Sequence, residues 1–235
     1  MPDIIRFLLD GKAPGPDLVR HVHQLGHDAL VLAMRDPVFV EAVWLLVCLP
    51  QVAAAPLFEE GAHAIGVRLA GPVSVASLLA SVDAALERVQ RQCQSDATDL
   101  GEIARQAALS SLNEAVHSRL PGLWEAISED VRHALAALRS AEATAALVQQ
   151  FHARFVERIL HYYIDRNLHR MVGPERTSRS LSDRQNFEAA LRRHCDEASL
   201  IMRGFARDWL GVNIYRDGKT LTQKDVRRFT AYSLE

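Results

Sequence analysis

Only three of the 27 basic residues are lysine, only three residues are cysteine, and aromatic side chains fill just 6% of positions. Each shortage excludes something. Cys48, Cys93 and Cys195 are odd in number and far apart, so they form neither a disulfide framework nor a Cys-x-x-Cys zinc or redox motif. A reducing, cytoplasmic compartment is expected. The N-terminal residues lack the basic start and long apolar run of a signal peptide. The most apolar stretch, residues 38–49, carries Glu41 and meets Pro50. It is too short to span a bilayer, so a buried helix and no membrane association are expected. No Gly-rich phosphate loop, Gly-x-Ser-x-Gly elbow or kinase signature occurs. No catalytic residue or cofactor is therefore assigned, and a non-enzymatic role is favoured.

The scarcity of aromatics comes with abundant Ala and Leu and 49% hydrophobic content. Ala and Leu lose little entropy in helices, whereas sheets favour β-branched and aromatic residues. The composition therefore predicts an all-α, bundle-like fold of several helices. Arg and Ala richness also fits a GC-rich bacterial genome.

Proline and glycine set the expected boundaries. Residues 17–34 read as a helix, with Asp17 as N-cap. Asp36-Pro37 starts the next, a capping residue followed by proline at the first helical position. Residues 49–72 are broken by proline and glycine and can hold only short helical turns. Helices are expected from residue 73 and over 102–119, and residues 123–172, free of Pro and Gly, form one long helix or two meeting near Ser140. Residues 175–184 read as a polar linker, followed by a helix over 182–209. Asp217-Gly218 between two short alternating runs in residues 212–222 predicts a β-hairpin. Thr222-x-x-Asp225 can cap a final helix, which has no stop signal and is read as truncated or as ending in a cloning remnant.

Charge is uneven. Residues 1–150 hold 11 Lys and Arg against 18 Asp and Glu, whereas residues 151–235 hold 16 against 11. The expected organisation is an acidic helical part, residues 1–120, and a basic helical part, residues 123–235, separate or continuous. Attraction between these parts accounts for the asymmetry as well as an external anionic partner does.

Residues 151–172 carry most of the site-like chemistry. Residues four apart share a helical face. Phe151, Phe155, Ile159 and Tyr163, and Val156, Leu160, Ile164 and Leu168, form apolar stripes. Glu157, His161, Asp165 and His169 form a polar stripe, and Arg154, Arg158, Tyr162, Arg166 and Arg170 form another. One half of this helix is expected to pack and the other to carry function or face water. His161, Asp165 and His169 are candidate metal ligands, since imidazole and carboxylate suit zinc, iron or manganese. No second Glu-x-x-His element completes such a site, so a solvated face is the commoner outcome. The like-charge pairs Arg154/Arg158 and Arg166/Arg170 are destabilising alone and call for an acidic counterpart or an anion. Arg176 and Arg179 follow in the linker, and Trp209 is the candidate interface aromatic.

Two smaller clusters are weaker. His21, His23 and His27 have helical metal-ligand spacing, but surface histidines are the simpler reading. Cys195 lies beside His194 but shares an apolar face with Leu191 and Ala198, which predicts a buried structural thiol. The favoured function is a helical accessory subunit that docks a protein partner through its Arg-lined surface. A nucleic-acid-associated module is the first alternative, and a metal-dependent hydrolase the second.

Overall fold

The computed structural model describes residues 31–33, 35–92, 98–121, 126–168, 181–216 and 221–232. These residues are all-α, and no strand occurs among them. The helices are α1 (Pro37–Ala53), α2 (Phe58–Ala64), α3 (Val75–Gln92), α4 (Asp99–His117), α5 (Ser128–Ala136), α6 (Ala141–Leu168), α7 (Leu181–Ala198), α8 (Leu200–Leu210) and α9 (Gln223–Tyr232). A π-helical turn, Gly211–Arg216, extends α8. None of these helices is long and apolar enough to cross a membrane. The His21, His23 and His27 cluster, Asp17 and Cys93 lie outside the described residues.

Two helices organise the rest. α1 is buried along almost its whole circumference, as a helix apolar on all sides must be. It packs against α2, α3, α4, α5, α6 and α9. α6 packs against α1, α4, α7 and α8. Where the two hubs meet, the Phe39 ring lies 5.2 Å from Phe151 and 4.9 Å from Phe155, centroid to centroid. One cluster of buried side chains runs from Ala33 to Phe229 and draws on both the acidic and the basic part of the chain.

The start of α1 is fixed by Asp36, whose Oδ1 accepts from the Val38 N–H at 2.8 Å. The same carboxylate accepts from the Thr98 hydroxyl, and Thr98 Oγ1 accepts from the Gly101 N–H at 2.9 Å to cap α4. Two helix starts are thus tied through one carboxylate. A Cβ at Gly101 would stand 3.0 Å from Thr98 Oγ1 and 3.2 Å from Asp36 Oδ1, so glycine makes room for the joint.

Three expectations need correction. Pro50 does not end its helix, which continues to Ala53. The interior proline costs about 3 kcal/mol. Burial of Leu46, Val47, Leu49 and Ala53 around it supplies the opposing packing energy. The helix expected over 182–209 is broken at Ser199, whose hydroxyl donates to Asp196 O at 2.9 Å, and α8 starts afresh.

The third correction concerns the β-hairpin. Its first expected strand is the π-helical turn Gly211–Arg216, and Asp217-Gly218 lies outside the described residues. Asn213 Nδ2 donates to Trp209 O at 2.9 Å, one turn back, and Ile214 packs against the core. An isolated two-stranded hairpin is marginal without further packing. Continuing α8 gives these residues that packing. At the entry to α9, Thr222 N–H donates to Asp225 Oδ2 at 2.9 Å and Asp225 N–H donates to Thr222 Oγ1 at 3.3 Å, the reciprocal cap that the sequence suggests.

His152 is the one histidine of α6 sealed in the core, 3% exposed, with Nδ1–H donating to Val148 O at 2.8 Å. Burial pushes its pKa down to about 4, against the opposing pull of that backbone hydrogen bond. The unfolded chain binds this proton near the ordinary histidine value, so the neutral ring contributes stability that is full above pH about 6.5 and lost as pH falls toward about 4. Urea titrations from pH 7 to 4 are expected to show a loss of about 3 kcal/mol from this group. His152→Gln removes that component of the slope; an unchanged slope would exclude His152 as its source.

Candidate interaction site

The spacing of residues on three helices builds one cleft. Ser110, Asn113, Glu114 and His117 follow one another along one face of α4. Arg154, Glu157 and Arg158 lie at three- and four-residue steps on α6, and α7 supplies Arg192. Together they line an open cleft of about 720 Å³.

Glu157 is its centre. Sequence spacing puts it on the polar stripe of α6, but it is 7% exposed. Arg154 Nη1 donates to its Oε2 at 3.1 Å, and Arg192 Nε reaches across from α7 to its Oε1 at 3.1 Å. Arg154 also donates through Nη2 to Glu114 of α4 at 3.1 Å. Burial alone would lower the Arg154 pKa, but the hydrogen bonds from Glu114 and Glu157 outweigh it and raise the value. Glu157 is therefore not a solvated member of the polar stripe. Ala153 and Leu160, four before and three after Glu157, are both buried, and that spacing was the available signal.

Arg158 differs from its neighbours. Among the described residues its Nη2 reaches only Ser110 Oγ, at 3.3 Å, and no carboxylate bonds it. Its Nε is buried with no hydrogen-bond partner. Burial lowers its pKa; the attraction of Glu157 opposes this, while the charges of Arg154 and Arg192 lower it further. The guanidinium nonetheless stays protonated. The cleft thus holds a cation whose requirement the fold leaves unmet.

The other sequence candidates distribute unevenly. Tyr162 is on the same helix, but its hydroxyl donates to Asp99 in the first turn of α4. Trp209 is not brought to the cleft: its ring lies 4.8 Å from Phe229 and holds α9 against α8. Arg166 and Asp165 fall on α6, with side chains outside the described residues, and Arg170, Arg176, Arg179 and His169 lie outside them altogether. His161 lines an adjoining groove with Glu157, Arg192, Arg193, Asp196 and Glu197. Among the described residues no group of three or more His, Cys, Asp and Glu side chains could hold a metal ion. Cys195 is buried, and burial first, with Glu157 and Asp196 adding, pushes its thiol up to about 12, which suits a structural thiol rather than a nucleophile. Arg192, Glu114 and Ser110 were not singled out from sequence, because no local pattern marks helix partners 35 to 48 residues away.

Comparison with known protein families, with curated proteins and with solved structures finds no match.

Opposite stability effects are expected on its two sides. Glu157→Gln leaves Arg154 with Glu114 alone and takes the carboxylate from Arg192, and should cost about 2 kcal/mol in urea denaturation, because breaking the largely buried Arg154–Glu157 pair leaves charge less well met. Arg158→Gln removes a crowded, unpartnered cation and should be neutral or stabilising by up to about 1 kcal/mol. A loss on Arg158→Gln equal to that on Glu157→Gln would contradict the distinction.

Proposed function

We propose that this chain is a non-catalytic helical accessory subunit that docks a protein partner through the Arg-lined surface of α6 where it meets α4 and α7. The observation that carries this reading is Arg158, a half-buried guanidinium that lacks a carboxylate among the described residues while Arg154 and Arg192 beside it have theirs. Natural chains keep such groups at a cost in stability where binding uses them. Asn113 in the same cleft also makes no side-chain hydrogen bond among the described residues.

A protein partner fits better than nucleic acid. Glu114 and Glu157 stand within the cleft and would repel successive phosphates of a polyanionic backbone. Pairing of Arg154 with Glu114 also uses the acidic part of the chain to neutralise the basic helix from within. That leaves a small residual positive charge for recognition rather than an extended basic strip.

The test is photo-crosslinking in the native host, with a benzoylphenylalanine in place of Asn113 on the cleft or of Ala84 on the exposed side of α3. One defined protein adduct is expected from position 113, absent from position 84 and lost when Arg158→Glu is added. A monomeric chain with no adduct from position 113, or an adduct indifferent to Arg158→Glu, contradicts the reading.

A further inference from the structure

We infer that the partner group received by this cleft is a single carboxylate, from an acidic side chain of the partner protein, and that Arg158 with Asn113 receives it. This rests on the docking role proposed above and adds the chemistry of recognition.

The charge balance decides the class of ligand. Three guanidiniums, Arg154, Arg158 and Arg192, face two carboxylates, Glu114 and Glu157, leaving one positive charge in the cleft. Arg154 spends Nη1 and Nη2 on those carboxylates, and Arg192 spends Nε on Glu157. Among the described residues Arg158 makes no hydrogen bond through Nη1, and its bond from Nη2 to Ser110, at 3.3 Å, is long for an N–H···O contact. An arginine with both terminal nitrogens available offers the planar fork that a carboxylate matches with two parallel bonds. Such a ligand would displace one weak bond and exchange it for two charge-assisted ones.

Asn113 adds a neutral donor one turn from Ser110 on α4, with its side-chain amide unpartnered among the described residues. A carboxylate oxygen facing Arg158 can take that amide as a further donor. A phosphate dianion would bring a second negative charge against Glu114 and Glu157, with no cation left to balance it. Burial makes the choice sharper, because charges beside a partly dehydrated guanidinium are screened less than on an open surface.

The experiment follows the side-chain N–H signals of Arg158 by NMR in the full chain labelled with 15N-arginine, assigned through Arg158→Lys. Three probes are titrated: the blocked tripeptide Ac-Ala-Glu-Ala-NH2, its Gln counterpart, and inorganic phosphate. The Glu peptide is expected to shift the Arg158 signals saturably, at about tenfold lower concentration than either other probe. Asn113→Ala should weaken that binding several-fold, whereas Arg203→Lys, on an arginine paired with Glu142 elsewhere, should not change it.

Phosphate acting at equal or lower concentration than the Glu peptide overturns the carboxylate assignment and leaves the docking role standing. An equal response to the Gln peptide overturns the charge argument in the same way. No response to any probe, with the protein folded by circular dichroism, overturns the carboxylate assignment, and the crosslinking result then decides the docking role separately.

Discussion

Glu157 is the fixed point of this molecule's polar architecture. A carboxylate 7% exposed on the central helix is stable only if its charge is met, and Arg154 from the same helix and Arg192 from α7 meet it. Arg154 extends the chain of charge to Glu114, so α4, α6 and α7 are joined through one alternating series of acids and bases. These helices also share apolar contacts, which supply the bulk of the cohesion. The ion pairs contribute orientation: they set which faces of the three helices look into the cleft. Arg158 inherits its environment from that arrangement, pressed between like charges by a neighbour whose carboxylate is already taken.

The same logic joins the site to the fold. α6 can present a polar face to α4 and α7 because its other face is locked to α1 by Phe39, Phe151 and Phe155. α4 is in turn held in place at its first turn, where Thr98 shares the Asp36 carboxylate with the start of α1 and Asp99 accepts from Tyr162. α4 and α6, two of the helices that line the cleft, are therefore constrained by contacts outside it. A cleft with rigid walls can keep a cation unpaired; on a loose surface Arg158 would swing into water or onto the nearest acid.

Much of the helical plan was legible in the sequence, for local reasons. Asp36-Pro37 and Thr222-x-x-Asp225 announce helix starts because capping is short-range chemistry, and the break before Ala141 falls in a stretch where Ser140 interrupts Ala-rich runs. What escaped was non-local. Pro50 reads as a stop until the burial around it is known, and residues 212–216 read as a strand until α8 is seen to continue into them. At the site, the Arg stripe and its need for an acidic counterpart were visible, but Glu114 and Ser110 as the counterparts were not. The polar stripe misled for the same reason. Residue type alone marks Glu157 as a surface residue, whereas the buried Ala153 and Leu160 around it place it inside.

One asymmetry is central: among the described residues Arg154 is paired with carboxylates and Arg158 is not. Double-mutant cycles in urea, with Glu157→Gln combined in turn with Arg154→Gln and with Arg158→Gln, measure it directly. The Arg154–Glu157 coupling is predicted at about 1–2 kcal/mol and the Arg158–Glu157 coupling below about 0.5 kcal/mol. Equal couplings, or a larger one for Arg158, would mean that Arg158 already has its carboxylate within this chain and would contradict its role as the unpaired cation of the cleft.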